Sequence, residues 1–388
     1  MSTSNTTNST TVQEPAPTST SSPIFEFIKS HDWDTVQAMV ESDPTIATAI
    51  DPVSGRSPLH MVCSVGSSTT EVMAAVAAAA PQMVTHADKV YNDTPMHIVC
   101  RNSQKTAAKA HIILQHCSSE DILRRNVIGG TCLHSACGHN AVLDVFKLIV
   151  RKNPRVLKIS TFDGIPPIRG LFFAYTTSIP GVLAVGKMLK GRQVSEGHFD
   201  RFWAKADFLA LEYFRLTTAC PDQYKSSTTA NTEDGASTPP PNIPNEYVAH
   251  GIMHCDAPLN LLKIALKRNT ACATALDAGG NCPLHALVER RPYRLYEREA
   301  IQSTLETFPQ AAGLANHAGH IPLMLAIRNK IPFENGVDLI FQADMTVVSR
   351  RDPETGLVPF QLAATVGGPE AFNTTFALLT ALPQTIGF

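Results

Sequence analysis

The chain has 388 residues, with 32 Lys and Arg against 34 Asp and Glu, which gives a formal net charge of −2 at pH 7. This near-neutral balance argues against general nucleic-acid binding, which needs a basic face, and against a polybasic membrane anchor. Hydrophobic residues make up 44% of the chain and charged residues only 17%. We therefore expect a large core and a surface rich in neutral polar groups.

The first segment, 1–22, is dominated by Ser, Thr and Pro, and we expect it to be disordered. It contains no Lys or Arg and no apolar run, so neither a secretory signal nor an Arg-rich transit peptide is expected. The nine cysteines are an odd number spread over a long chain, unlike a small secreted disulfide scaffold. These features predict a soluble protein of the cytoplasm or the nucleus, with reduced and mostly buried thiols.

From Gly55 onward, a six-residue motif recurs eight times at a nearly constant step. Its first position is Gly or Asn in every copy. Its fourth positions are Pro58, Pro95, Cys132, Pro167, Val248, Pro283, Pro322 and Pro359. Six of the seven steps are 35 to 39 residues long, and the remaining step of 81 residues is an ordinary step with about 45 inserted residues. This periodicity indicates an array of similar units rather than unrelated domains.

Each motif predicts a tight turn followed by the start of a helix. Gly and Asn tolerate a positive φ, a Ser or Thr two residues later can cap the helix, and Pro fits the first helical turn. A second apolar helix completes each unit; in 141–150, Val142, Val145, Phe146 and Ile149 follow helical spacing. Other second helices are predicted at 70–80, 107–116, 258–267 and 298–308. A looser first unit at Pro23 brings the expected count to nine helix pairs.

The turn, the Pro-Leu-His sequence of 58–60 and the paired helices resemble the ankyrin repeat. The resemblance covers the chain from about Pro23 to its C-terminus, although the units exceed the usual 33 residues by two to six. It implies an all-α, ankyrin-type helix-turn-helix solenoid of about nine repeats with an internal insertion. Another α-hairpin repeat is the alternative. The resemblance also implies a non-catalytic scaffold or adaptor that binds a partner protein on its concave face and turn tips.

We divide the chain into the disordered tail 1–22, an N-terminal block of repeats 23–169, an insertion 170–244 and a C-terminal block 245–388. Within the insertion, 221–244 has the composition of a flexible loop. A helix at 202–216 is either the late second helix of the fourth motif's unit or an extra helix on the flank. The uncharged stretch 170–186 is too short and too interrupted for a spanning helix. We expect two short buried helices there, and membrane association is the alternative.

His and Cys recur in the spacing His-x-x-Cys, which offers zinc-ligand types. The pairs are His60 with Cys63, His97 with Cys100, and His134 with Cys137. One unit supplies only two ligands, and neighbouring helices lie about 10 Å apart, so a four-ligand site would have to collapse the array. The ankyrin resemblance implies instead that the His braces the turn and the Cys packs against a helix. We expect no metal, no cofactor, no nucleic acid and no small-molecule substrate.

No sequence signature of a catalytic site stands out. The chain has no Walker loop, no dinucleotide-binding glycine fingerprint and no HExxH. The insertion does contain Asp200 near His198 and Glu212 beside Tyr213, which offer acid–base pairs. An enzyme, or an enzyme-regulatory subunit, with its active part in 171–244 is therefore the alternative function.

The residues beside the Gly or Asn of each turn are the candidate partner-binding positions, since ankyrin-type turns can vary without harming the stack. They are Arg56, Tyr91, Asp93, Ile128, Ile165, Asn281, His320 and Leu357. A basic run at 289–299 is expected to be a solvated loop, with a contact to an acidic partner as the alternative. The last segment, 372–388, is unusually apolar for a terminal repeat. We expect the tail to bury the last helix, and a covering partner is the alternative.

Overall fold

The computed structural model describes residues 22–102, 107–177, 196–217, 220, 222–225, 243–255, 257–289 and 297–381. Within these ranges the regular secondary structure consists of α-helices and short 3-10 turns, with no strand. The prediction of an all-α protein is therefore confirmed for this part of the chain. Five predicted features lie wholly or mostly outside it: the tail 1–22, the loop 221–244, the second half of 170–186, the basic run 289–299, and the final residues 382–388.

The helices follow one another as nine pairs in the described residues, each with a first and a second helix. The first helices are α1 (Ile24–Ser30), α3 (Pro58–Ser64), α5 (Pro95–Asn102), α7 (Cys132–Gly138), α9 (Pro167–Thr177), α12 (Val248–His254), α14 (Pro283–Glu289), α16 (Pro322–Arg328) and α18 (Pro359–Val366). The second helices are α2 (Trp33–Ser42), α4 (Thr70–Ala79), α6 (Ala108–His116), α8 (Leu143–Lys152), α10 (Glu196–Arg215), α13 (Leu259–Arg268), α15 (Glu297–Thr307), α17 (Val337–Ala343) and α19 (Pro369–Ala381). A short helix, α11 (Asp222–Lys225), follows α10.

Successive pairs stack so that like helices meet like helices. First helix α3 contacts α5, which contacts α7, while second helix α4 contacts α6, which contacts α8. The same order continues through α12, α14, α16 and α18 in the second half. Each unit therefore buries its apolar residues against its neighbours. Leu59, Leu133 and Leu284, which follow the fourth motif position, are all fully buried.

A 3-10 turn accounts for much of the extra length of most units. Such turns follow seven of the second helices in the described residues, for example at Pro44–Thr48, Pro154–Lys158 and Met345–Ser349. A side chain caps four of these turns locally; Asn153, for example, accepts a hydrogen bond from the backbone N–H of Arg155 at 3.1 Å. The surplus residues thus form an ordered connection that leads the chain from the second helix to the next turn.

Helix α10 lies between the two blocks. It packs against the preceding helix α9, and it also contacts second helix α8 and first helix α12. The helix crosses α12 so closely that a Cβ atom built on Gly251 would overlap the carbonyl oxygen of Ala210. Gly251 is therefore needed because any side chain would force the two helices apart.

A buried lysine also fixes α10 to the preceding unit. Lys205 is 4% exposed, and its ammonium group donates to the side chain and backbone oxygens of Asn140. The Lys205 Nζ lies 5.8 Å from the ring centroid of Phe146. Burial lowers the pKa of Lys205 to about 8. The contact joins residues 65 positions apart and sets the position of α10 against the turn between α7 and α8.

The last helix, α19, keeps two aromatic side chains in solvent. Phe372 and Phe376 are 73% and 61% exposed, and their rings stack at 6.4 Å. The opposite side of the helix is packed, with Leu378 at 2% exposure. The residues predicted to cover this helix, 382–388, lie outside the described ranges.

Candidate functional site

The turn that precedes each first helix, here called a tip, has the backbone that the motif predicts. Its Gly or Asn has a positive φ in seven of the eight motifs. These residues are Gly55, Asn92, Gly129, Gly164, Gly280, Gly319 and Gly356, with φ between 54° and 84°. The exception is Asn245, which begins a 3-10 turn, Asn245–Tyr247. The prediction of a left-handed turn residue is confirmed for seven tips and is wrong for this one.

A polar side chain closes each of these tips, and the sequence analysis did not identify it. Asp88, for example, accepts a hydrogen bond from the backbone N–H of Tyr91 at 2.8 Å. The equivalent acceptors are Asp51, Asp88, Asn126, Thr161, Asp277, Asn316 and Asp352. The available signal was an Asp, Asn or Thr three or four residues before the Gly or Asn, a type that favours such local bonds.

Neighbouring tips are joined by backbone hydrogen bonds. The N–H of Lys89 donates to the carbonyl of Ser54 at 2.9 Å, and the N–H of Val127 donates to the carbonyl of Tyr91 at 2.9 Å. The pattern continues in two further junctions, from Phe162 to Ile128 at 3.1 Å and from His317 to Gly279 at 2.9 Å. The first four tips therefore form a continuous edge in register, and the tips before α14 and α16 are joined in the same way.

The histidine of the motif links its own helix to the following tip. In His134, Nδ1 accepts from the backbone N–H of Thr131 at 3.1 Å, which places the ring proton on Nε2. Nε2 then donates to the carbonyl of Ile165 in the next tip at 3.1 Å. The equivalent bonds join His60 to Asp93, His97 to Gly130, His250 to Asn281, and His285 to His320. The bracing that the ankyrin resemblance implied is thus present in five units.

These bridging rings are neutral at pH 7. Burial lowers the pKa of His60, His134 and His250 to about 4, and it also lowers the pKa of His97 and His285. The cysteines of the His-x-x-Cys spacing, such as Cys63, Cys100 and Cys137, are buried as well, and burial raises the pKa of their thiols. Within the described ranges, no group of three or more potential ligands is placed to hold a metal ion.

The eight candidate partner-binding residues differ in exposure. Tyr91 and Ile128 are 49% and 59% exposed. Arg56, Ile165, Asn281 and Leu357 are partly exposed. Asp93 and His320, in contrast, are buried.

Asp93 and His320 contradict the expectation that every candidate tip residue is exposed to a partner. Asp93 forms an ion pair with Arg101 and accepts a hydrogen bond from the amide of Asn126 at 3.1 Å. The ring of His320 lies 3.3 Å from the carboxylate of Glu354. Arg56 is likewise used internally, since its guanidinium lies 3.1 Å from the buried carboxylate of Asp88. The position after the turn residue therefore serves contacts between units.

The position two residues before the Gly or Asn carries exposed apolar side chains that the sequence analysis overlooked. Val53, Val90, Val127 and Phe162 occupy it in four successive tips, and their exposures are 86%, 51%, 52% and 69%. In the second half of the chain, Ala278, His317 and Glu354 occupy the same position. The sequence shows the apolar residues at this position. Only their place relative to the left-handed turn residue shows that their side chains point into solvent.

Together with Tyr91 and Ile128, these side chains form what we call the tip row. The tip row consists of Val53, Val90, Tyr91, Val127, Ile128 and Phe162. The cross-tip bonds place its members side by side on consecutive turns. Arginines flank its two aromatic rings: Arg101 lies 5.8 Å from the ring centroid of Tyr91, and Arg125 lies 5.9 Å from that of Phe162. Soluble proteins rarely leave a contiguous apolar surface exposed unless it binds something.

Polar side chains of the insertion, where described, make structural contacts. Asp200 pairs with Arg268 at 3.2 Å, and Glu212 pairs with Arg215 at 3.2 Å. Asp207 is largely buried, and burial raises its pKa to about 6.

Comparison with known proteins adds no relative. No family model matches the chain, and no curated protein matches it. As for membranes, the described helices include none with both the length and the apolar character required to cross a bilayer.

Proposed function

We propose that the chain is an ankyrin-type solenoid that serves as a scaffold or adaptor, binding a partner protein through its tips and first helices. Three features support this proposal. The units repeat at 35 to 39 residues, their tips are left-handed turns hydrogen-bonded to one another, and a histidine joins most first helices to the next tip. A stack of this kind carries its stability in contacts between units and leaves its tips free to vary.

The tip row is the observation that carries the proposal. Four successive tips expose valine, isoleucine, tyrosine or phenylalanine. At the position two residues before the turn residue, the tips of the second half have Ala278, His317 and Glu354 instead. Aromatic and aliphatic side chains of this kind anchor protein interfaces because their burial removes apolar area from water. The alternative of an active site in the insertion has less support, since Asp200 and Glu212 there are each paired with an arginine.

Replacing Tyr91 and Ile128 together by alanine is expected to weaken partner binding at least tenfold, because both are exposed members of the tip row. The melting temperature is expected to stay within about 2 °C of the native value, since exposed side chains contribute little to stability. A partner identified by affinity capture and mass spectrometry would be titrated by calorimetry against both proteins.

The matched control replaces Leu276 and Met345, which are 45% and 60% exposed in the second half of the chain. This control is expected to bind the partner as the native chain does. Equal loss of affinity in both double variants, or none in either, would count against the tip row as the binding surface.

A further inference from the structure

We infer that the tip row binds an extended, acidic segment of a partner protein, with an apolar side chain at about every third position. This inference rests on the proposed function and names the chemistry of the partner. Three observations carry it: the spacing of the tips, the charge of the surface around them and the width of the apolar row.

The spacing of the tips sets the period of the partner. Consecutive tips are joined by single backbone hydrogen bonds, and the first helices behind them contact one another. Packed helices lie about 8 to 10 Å apart. An extended chain in the polyproline II conformation advances about 3.1 Å per residue and places every third side chain on the same face. A segment crossing the tips therefore meets a new tip about every three residues, and an apolar side chain at that period reaches each one.

The charge of this surface is opposite to that of the whole chain. We count the first helices α3, α5, α7 and α9 together with their tips, each tip taken from two residues before its closing Asp, Asn or Thr. This surface holds six cations and four carboxylates, a net charge of +2. The cations are Arg56, Lys89, Arg101, Arg124, Arg125 and Arg169. The equivalent surface of α12, α14, α16 and α18, with the three tips before α14, α16 and α18, holds three cations and four carboxylates, a net charge of −1.

Ion pairs involve three of the six cations: Arg56 and Arg101 pair with buried carboxylates, and Arg124 pairs with Asp121 just before its tip. The other three, Lys89, Arg125 and Arg169, form no ion pair in the described residues. Two of the four carboxylates, Asp88 and Asp93, are buried and paired with arginines. The other two are Asp51 and Asp163. Arg125 lies over the exposed ring of Phe162 and has no carboxylate partner in the described residues. An acidic residue of the partner beside each apolar anchor would find these guanidinium groups within reach, and charge complementarity of this kind selects partners and speeds their association.

The width of the tip row favours a single extended segment of the partner over a broad partner surface. Each tip contributes only one or two apolar side chains, and polar or charged residues lie directly beside them, such as Lys89 and Asp163. A narrow apolar line bordered by cations fits an extended segment with an apolar residue at every third position and acidic residues between them. A lipid surface, which would also match apolar and basic groups, needs a broader apolar face, and we make it an outcome of the test.

The test uses the full chain and fluorescently labelled twelve-residue peptides in polarisation titrations. The first peptide has Leu at every third position and Glu elsewhere, the second has Lys in place of Glu, and the third contains the residues of the first with its leucines adjacent. We expect the first to bind at least tenfold more tightly than either of the others. Replacing Ile128 and Phe162 together by serine is expected to reduce that affinity at least tenfold, whereas serine at Leu276 and Met345 is expected to leave it unchanged. Arg125→Gln is expected to weaken binding of the acidic peptide several-fold and to reduce its dependence on salt.

Each outcome separates the partner class from the proposed function. Equal binding of the Lys peptide would overturn the acidic character, and equal binding of the peptide with adjacent leucines would overturn the period of three. If these peptides fail while an identified partner still loses affinity in the Tyr91 and Ile128 double variant, the proposed function survives without this partner class. If neither test responds to the tip row, both fail. If flotation with phosphatidylserine vesicles depends on Ile128 and Phe162, the tip row binds a membrane surface, and the inferred peptide partner is wrong.

Discussion

Gly251→Ala is expected to lower the free energy of unfolding by about 2 kcal/mol, because the new methyl group has no space at the crossing of α10 and α12. Overpacking of a tight contact generally costs about 1 to 3 kcal/mol, and here the obstacle is the backbone carbonyl of Ala210 rather than a movable side chain. In a stack whose stability is carried by contacts between neighbours, a weakened junction allows the two halves to unfold separately. We therefore expect the single unfolding transition to split.

Denaturant titration would measure this effect with two probes. Far-UV circular dichroism follows all helices, while fluorescence of Trp203 in a Trp33→Phe background follows α10, since the chain has only two tryptophans. The control is Gly197→Ala, also in α10, where a methyl group would meet no atom within 4 Å. Superimposable curves from both probes in Gly251→Ala, at native stability, would show that the two helices can separate without cost.

Acidification from pH 6.5 to 4 is expected to destabilise the chain steeply, because the five bridging histidines are neutral in the folded state. Burial holds the pKa of His60, His134 and His250 near 4, whereas an exposed histidine in the unfolded chain has a pKa of about 6.5. The unfolded chain therefore binds more protons in this window. The stabilisation is complete above pH 6.5 and is lost as the pH falls towards 4, at up to about 1.4 kcal/mol per pH unit for each ring.

Two partly buried carboxyl groups act in the opposite direction over the same window. Burial raises the pKa of Asp207 to about 6, and it also raises the pKa of Glu212. These groups take up protons in the folded state as the pH falls, and they offset part of the loss caused by the histidines. A comparison between variants is therefore more informative than the pH profile of the native chain alone.

The double variant His60→Gln with His134→Gln isolates the histidines. The ninth unit already has Gln361 at this position, where its side chain accepts the backbone N–H of Val358 at 3.2 Å. The variant is expected to be less stable at pH 7, but to lose about 2 kcal/mol less than the native chain between pH 6 and 5. The control is His111→Gln, an exposed residue whose ring is hydrogen-bonded to Gln115 of its own helix. Equal pH slopes in all three proteins would contradict the assignment of neutral bridging rings.

The helical content and the pairing of helices could be predicted because both follow from short-range rules. A Gly or Asn that tolerates a positive φ, a capping residue and a Pro in the first turn mark each helix start, and the apolar spacing of Val145, Phe146 and Ile149 marks a second helix. The same rules failed at Asn245, where no Ser, Thr or Pro follows to reinforce the turn.

The direction of individual side chains in the tips could not be predicted, because it depends on bonds between units. Asp93 and Tyr91 are only two residues apart, yet one is buried by Arg101 and Asn126 while the other is half exposed. Val127 and Phe162 read as ordinary apolar residues until the turn register places them in solvent. The packing position of α10 could not be predicted either, since it is set by contacts with α8 and α12 rather than by the sequence of the helix itself.

The linkage between tips has a mechanical consequence. The first four turns are held to one another by backbone bonds, and at each of these three junctions an imidazole anchored in the preceding first helix also bonds to the next turn. A force applied to one of these turns is therefore transmitted to its neighbours. The linked turns would then deform slightly at several junctions instead of separating at one.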